Sequence, residues 1–191
     1  MSELFKSHLN KFIEIDNEEF ADLIQYFQIH TIPKKENLLI EGQACKYNYF
    51  VLGGILRKFF INAKGVEQTT EFAIEKWWMT ESYSFRNQTP SEFYIQTVEP
   101  TTLLSIHREA EAKMLTNHPS MERYFHQVYQ IAFAATQRRI KFLYDLSRED
   151  LYHFFLKSQP AFLQRVPQYL IASYLNITPE YLSEIRRKSI S

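Results

Sequence analysis

The chain carries, at residues 168–187, the stretch QYLIASYLNITPEYLSEIRR, which has the pattern of two helices joined by a tight turn. Ala172 lies where two such helices approach each other, and a larger side chain would push them apart. Asn176 occupies the turn position that needs a left-handed backbone, which Asn tolerates best after Gly. Thr178 followed by Pro179 is a helix start signal, an N-cap before a Pro in the first turn. The stretch therefore predicts a helix-turn-helix.

The outer face of the second helix is the face that we expect to contact DNA. Side chains near the N-terminus of such a helix meet base edges in the major groove, and basic side chains near its C-terminal end suit phosphates. Two other interpretations stay open: a helical hairpin used only for packing, and a charged helix end that is merely solvated. The predicted DNA-binding residues are Thr178, Glu180, Tyr181, Ser183, Glu184, Arg186, Arg187 and Lys188.

The composition limits the kinds of function that the chain can have. There are 22 basic and 22 acidic residues, so any attraction to DNA must come from a local patch. Cys45 is the one cysteine, which excludes an intrachain disulfide and a cysteine-based metal cage. Residues 1–8 contain no apolar run, and no segment approaches the roughly 18 apolar residues of a membrane span. We therefore expect a cytoplasmic protein.

Residues 29–106 break into short β-type runs separated by turn residues, a pattern typical of a sandwich or barrel. A capping box at Asp16 precedes a short amphipathic helix at residues 17–28, and a second helix is predicted at 108–116. The fold class that we predict is α+β, with an N-terminal antiparallel, jelly-roll-like β-roll and flanking helices. The clearest strand-like runs are 38–40, 49–52, 55–61, 69–72, 93–98 and 103–106.

A long helix is predicted from Pro119 to about residue 146, followed by a further helix that ends at Gln159-Pro160. Apolar residues follow a 4-3 spacing along the long helix, interrupted only by Arg139, and such a seam packs against a partner helix. We expect a homodimer through this seam, although a core helix that packs on its own β-roll is the alternative. The predicted interface residues are Met121, Phe125, Val128, Ala132 and Ala135.

A β-roll, a long seam helix and a C-terminal helix-turn-helix, in that order, resemble the Crp/Fnr family of transcription regulators. The runs Leu38-Leu-Ile-Glu-Gly42 and Tyr49-Phe-Val-Leu-x-Gly54 are similar to the family's early strands. The resemblance implies a cyclic-nucleotide-binding-like sensor domain at residues 1–116, a dimerisation helix at 117–146 and a DNA-binding domain at 147–191. It also implies three partners, namely double-stranded DNA, a second copy of the chain and RNA polymerase, together with a small-molecule effector.

The cyclic-AMP pocket of that family uses a Gly-Glu-Leu turn and, further on, an Arg-Ser pair. The matching positions here are Thr80-Glu81-Ser82 and Ser91-Glu92, so the phosphate-binding Arg is absent and a negative charge stands beside its place. We therefore expect cyclic-AMP binding to be weak or absent, and either another effector or none. Trp77, Tyr83 and Phe85 suggest a more aromatic cavity, or simply core packing. The predicted effector-pocket residues are Trp78, Glu81, Ser82, Ser91, Glu92 and Phe93.

The recognition helix departs from the family too, since Glu184 and Pro179 stand where Arg is common, while Glu180 matches a family glutamate that binds a cytosine amino group.

An enzyme is not expected, because no His-x-His pair, nucleophile motif or phosphate-binding Gly-rich loop occurs. No metal and no cofactor are expected either. The remaining alternative is a ligand- or protein-binding module that has lost DNA binding.

Overall fold

The computed structural model describes residues 2–190, with side chains for residues 3–188. The helices are α1 (Ser2–Leu9), α2 (Asn17–Leu23), α3 (Ser82–Asn87), α4 (Arg108–Asn117), α5 (Ser120–Asp145), α6 (Arg148–Ser158), α7 (Pro160–Arg165), α8 (Gln168–Leu175) and α9 (Pro179–Ile190), with a 3-10 helix at Ile24–Tyr26. The strands are β1 (Gln28–Ile32), β2 (Asn37–Leu39), β3 (Tyr47–Gly53), β4 (Leu56–Ile61), β5 (Glu67–Ala73), β6 (Trp78–Met79), β7 (Tyr94–Thr97) and β8 (Thr101–His107).

The chain forms two compact units. The first comprises the residues up to Phe60 together with Glu71–Gln130, and the second comprises Ile61–Thr70 and the residues from Ile131 on. The tip of the β4–β5 hairpin thus belongs to the same unit as the C-terminal helices. The domain boundaries predicted at residues 116 and 146 stay predictions.

The first unit contains two four-stranded sheets, in the orders β1-β8-β3-β6 and β2-β7-β4-β5. Strand β8 pairs antiparallel with both β1 and β3, and β7 pairs antiparallel with both β2 and β4. Helices α1, α2 and α4 belong to the same unit. The predicted fold class, an antiparallel β-roll with flanking helices, is confirmed.

Apolar residues of the first unit form two separate clusters, and the alternation of side chains along β3 explains the division. Tyr49 and Val51 point into a cluster that both sheets supply. Phe50 and Leu52 point the other way, toward α1, α2, α4 and the start of α5. A strand buried on both faces reads as a continuous apolar run, which is how Tyr49-Phe-Val-Leu52 looks in the sequence.

The turn after β3 requires a glycine at position 54. Gly54 has a φ of +105°, a conformation that L side chains rarely adopt. A Cβ atom there would lie 2.5 Å from Oγ1 and 2.7 Å from Cα of Thr101, at the start of β8. Because one of these atoms is backbone, the clash cannot be relieved by a side-chain rotation.

The first turns of α5 lie in the core of the first unit. Met121 is fully buried, Phe125 is 5% exposed, and Val128 packs partly buried against the same cluster. A side chain enclosed by its own chain has no surface to offer a second chain, so the predicted dimer interface is corrected at Met121 and Phe125. The alternative, a helix that packs on its own β-roll, holds for this half of α5.

The second unit is a small helical core. Phe142 of α5 contacts Phe154 of α6, with ring centroids 4.8 Å apart, and Phe155 contacts Tyr174 of α8 at 5.6 Å. The buried residues supplied by α6, α8, α9 and the α7–α8 link are Leu151, Tyr152, Val166, Leu170, Ile171, Ala172, Leu175, Leu182 and Ile185. Among the residues that the structure describes, no helix is long and apolar enough to cross a membrane.

Candidate nucleic-acid interface

The turn between α8 and α9 has the left-handed residue that the sequence predicts. Asn176 has φ 55° and ψ 49°, and its backbone N–H donates to carbonyls of the last turn of α8. The N–H of Ile177 donates to the Ala172 carbonyl at 3.0 Å. These bonds close α8 and reverse the chain, which is the usual role of a left-handed residue at a helix end.

Helix α9 begins at the predicted start signal. The Thr178 hydroxyl accepts a hydrogen bond from the backbone N–H of Tyr181 at 3.2 Å, as an N-cap residue does. Pro179 is the first helical residue, where a missing N–H costs nothing. Glu180 follows in the first turn, where its charge is favourable toward the helix dipole. The predicted cap and helix start are confirmed.

The side chains expected between the two helices are buried. Ala172 is fully buried, and Leu182 and Ile185 are each 1% exposed. Ile171 and Leu175 complete this layer from the α8 side. Burial of these positions turns the other side of α9 outward.

Seven of the eight predicted DNA-binding residues are exposed, and Arg186 is half-buried. Arg186 lies with Leu182 at a groove of about 540 Å³ that α6, α7 and α8 also line. The Lys188 ammonium lies 3.0 Å from the Glu184 carboxylate. Their hydrogen bond lowers the pKa of Glu184 and raises the pKa of Lys188. Both groups therefore stay charged at neutral pH, and each partly cancels the field of the other.

Charge is distributed unevenly along the chain. Residues 131–191 carry nine Lys or Arg and five Asp or Glu, an excess of four positive charges. Residues 1–130 carry 13 basic and 17 acidic residues, an excess of four negative charges. The zero net charge of the whole chain therefore conceals a basic C-terminal part, which is the part that contains α9.

The residues predicted for an effector pocket serve local structure in the β-roll. The Glu81 carboxylate caps α3, accepting from the N–H of Tyr83 at 3.1 Å and of Ser84 at 2.7 Å. The Ser91 hydroxyl bonds to the N–H and the carbonyl of Phe93, at 3.0 and 3.1 Å. Ser82 and Glu92 are exposed. Because Glu81 and Ser91 already have partners, their polar atoms are less available to a ligand.

The predicted pocket is corrected at Trp78, which lies on the helix side of its sheet and packs against the α1–α5 cluster. Its indole N–H donates to the Tyr124 hydroxyl at 2.7 Å, and that hydroxyl lies 2.9 Å from Nδ1 of His8. Burial lowers the pKa of His8 to about 4. Trp77 and Tyr83 are exposed, so the suggested aromatic residues do not form one cavity. For Trp78, the alternative of core packing holds.

Lys58 is a cation near the predicted pocket that the sequence analysis did not identify. Its Nζ atom lies 2.6 Å from the Glu71 carboxylate on the neighbouring strand and 3.3 Å from the carbonyl of Thr80, which precedes Glu81. An ion pair between two strands leaves no signal in the spacing of residues along the sequence. Only the order of the strands in the sheet reveals it. No group of three or more His, Cys, Asp or Glu among residues 2–190 could hold a metal ion.

No protein-family model matches the sequence, and no curated protein matches it either. Solved structures do share its fold. FixK2 from Bradyrhizobium japonicum has a TM-score of 0.73 at 14% identity, covering 85% of this chain and 83% of that one. The c-di-GMP-responsive global regulator CLP from Xanthomonas campestris has a TM-score of 0.72 at 16% identity, covering 91% of each chain.

A cyclic-nucleotide-binding domain from Methylobacillus flagellatus is also similar, with a TM-score of 0.63 at 23% identity over 73% of this chain and 82% of that one. A Eubacterium rectale protein that is assigned to the Crp/Fnr transcriptional regulators shares the fold as well. At such low identities these likenesses establish the fold alone.

Proposed function

We propose that this protein is a homodimeric, sequence-specific DNA-binding transcriptional regulator of the Crp/Fnr type. The observation that carries the proposal is the α8–α9 pair, in which a left-handed Asn176 and a Thr178 cap present one face of α9 to solvent. The positive excess after residue 130 supports a polyanionic partner, since phosphate contacts supply most of the affinity for DNA. The shared fold supports the same conclusion by analogy only.

The proposed contacts divide by their place along α9. Glu180, Tyr181 and Glu184 lie nearer the N-terminal end, where base edges would be met, with Thr178 and Ser183 beside them. Arg186, Arg187 and Lys188 lie in the last described turns, where phosphates are the expected partners. Arg187 is exposed in this part of α9, and we choose it to test the phosphate contact.

Binding of selected duplexes, measured by fluorescence anisotropy at several salt concentrations, tests this division. Arg187→Ala should weaken binding to all sequences alike and lower the salt slope by about one. Glu180→Ala should cost roughly 1–3 kcal/mol at one base pair and relax specificity there. Lys113→Ala, an equal loss of charge on α4, is the control. Unchanged affinity and salt slope for a folded Arg187→Ala variant would contradict the proposed orientation.

The second half of α5 supports a dimer through a face of the helix that adjoins the predicted seam. Phe133 is 65% exposed, Ile140 49% and Tyr144 89%. These three residues lie on one side of the helix, where large exposed apolar groups mark interaction surfaces. We therefore place the proposed interface on this stripe. Of the exposed alanines of the predicted seam, Ala132 flanks the stripe, whereas Ala135 lies on the opposite side of the helix.

Sedimentation at micromolar concentration tests the interface. Phe133→Glu combined with Ile140→Glu should give monomers, because two charges would be buried without partners. Tyr83→Glu, at an exposed aromatic residue of α3, should leave the dimer intact. A wild type that sediments as a monomer, or a double variant that remains dimeric, would refute this interface.

A further inference from the structure

Arg139 interrupts the apolar spacing of α5, and its contacts give a reason for the interruption. One guanidinium nitrogen donates to the Thr70 carbonyl, and the other donates to the Tyr174 carbonyl at 2.9 Å. The guanidinium carbon also lies 3.6 Å from the centroid of the Tyr174 ring. One side chain of α5 thus binds the end of the β4–β5 hairpin tip and the last turn of α8 together.

The hairpin tip holds the same turn of α8 through Ser173. The Ser173 hydroxyl accepts from the Thr69 N–H at 2.8 Å and donates to the Glu67 carbonyl at 2.8 Å. The side-chain amide of Gln68 donates to the Ser173 carbonyl. These contacts and those of Arg139 lie within the second compact unit.

The turn of α8 that is held in this way is the one that needs external partners. The last carbonyls of a helix have no donors within the helix, and a cation beside them is favourable toward the helix dipole. Here Arg139 supplies a donor to the Tyr174 carbonyl. Gln68 adds a second donor to the Ser173 carbonyl, which also accepts from the N–H of Asn176. Asn176 and α9 follow directly, so the position of this turn determines where α9 begins.

We propose that Arg139 is a positioning residue that fixes the angle between α5 and the DNA-reading helix α9, and that Ser173 assists it. This inference rests on the proposed function. In a dimer joined along α5, that angle sets the separation of the two α9 helices. Such separations match half-sites about one DNA turn apart, so a fixed angle selects one spacing. Residues that hold the angle therefore determine spacing specificity without touching DNA.

Operators in which the two half-sites are moved together or apart by single base pairs test the spacing effect. Arg139→Ala should reduce the preference for the best spacing by about tenfold while changing binding to a single half-site by less than about threefold. Lys141→Ala removes the same charge from an exposed position of the same helix and should keep the preference. A uniform loss of affinity with the spacing preference intact would overturn the proposal.

Arg139→Lys separates geometry from charge, because an ammonium cannot bridge two carbonyls and stack on a ring at once. We expect it to lose the spacing preference as Arg139→Ala does. A lysine variant that keeps the preference would mean that positive charge alone suffices, and the positioning role would then be wrong.

A distance measurement without DNA keeps this proposal separate from the proposed function. Spin labels at Ala134→Cys of α5 and Ser183→Cys of α9, diluted with unlabelled protein, report the distance between the two helices. Cys45 is 1% exposed and should not react. The distance distribution should be narrow in the protein that keeps Arg139 and in the Lys141→Ala control. It should be broad in the Arg139→Ala variant. Equal widths would overturn the positioning role, whereas a wild type that binds no DNA would refute only the proposed function.

Discussion

At the scale of single residues, the hydrogen-bonded chain Trp78–Tyr124–His8 ties α1 to the β-roll and to α5. Because the indole can only donate, the Tyr124 hydroxyl is left to donate its own hydrogen to Nδ1 of His8. This arrangement needs a neutral His8, and burial, with smaller effects from Lys11 and Lys76, lowers its pKa to about 4. Protonation of His8 would place a hydrogen on Nδ1, which could then no longer accept the hydrogen bond from Tyr124.

The stability of the protein should therefore depend on pH through His8. The folded pKa lies below the ordinary value of 6.5, so the unfolded chain binds more protons between about pH 4 and 6.5. The contribution of His8 is present in full above that range and is lost as the pH falls through it. Between pH 7 and pH 5 the free energy of unfolding should fall by about 2 kcal/mol.

Urea unfolding of the wild type and of His8→Gln at both pH values measures this contribution. The variant should lose most of the pH dependence, whereas His126→Gln, at an exposed position of α5, should retain it. A pH dependence that is the same in the wild type and His8→Gln would show that another group is responsible.

Single residues also mark the limit of prediction from sequence. The resemblance in sequence places Glu81 in a ligand pocket, yet its carboxylate caps α3, because a nearby helix start offers it two N–H donors. Arg139 was visible only as a break in the apolar spacing. Its partners, Thr70 and Tyr174, are far away in sequence, and pairings of that kind leave no periodic signal.

At the scale of elements, the turn between α8 and α9 depends on backbone conformation more than on side-chain contacts. Asn176→Val should destabilise the protein by about 1–2 kcal/mol, because a β-branched residue is strained at a φ of 55°. Asn176→Gly should be neutral within a few tenths of a kcal/mol. Urea unfolding measures both. Asn87→Val, at an exposed residue of α3 without a positive φ, is the control, and an equal loss there would contradict the explanation.

Elements with strong local signals were predicted well, and short elements were not. The long helix, predicted at 119–146, is α5 at Ser120–Asp145, because apolar periodicity accumulates over many turns. Strand β6 has only two residues and β1 is mostly polar, so neither shows a pattern. Helix α7 was missed because Pro160 was interpreted as the end of α6, although Pro also starts helices.

At the scale of the whole molecule, the β-roll should not respond to cyclic AMP. The carboxylate oxygens of Glu81 are already bound by backbone N–H groups, and no arginine stands at positions 91 or 92. The nearby cation, Lys58, is paired with Glu71. Titration calorimetry should find no binding tighter than about 1 mM. A micromolar dissociation constant would mean that another cation takes the place of the missing arginine.

The net charge of the whole chain conceals an uneven distribution of charge along it. Composition alone gives a net charge of zero, which argues against a nucleic-acid partner. Division of the chain at residue 130, a boundary that only the compact units suggest, separates four excess negative charges from four excess positive ones. Local motifs therefore suffice to predict the candidate site. The positive charge that favours DNA there becomes visible only when the fold divides the chain.

The close approach at Gly54 also limits how the sequence can change. This chain shares its fold with FixK2 at 14% identity, so most positions can change while the fold is kept. Position 54 is different, since any added side chain would meet the backbone of Thr101. Any variant of this chain that keeps residue 54 this close to Thr101 should keep a glycine there, however much the rest of the sequence differs.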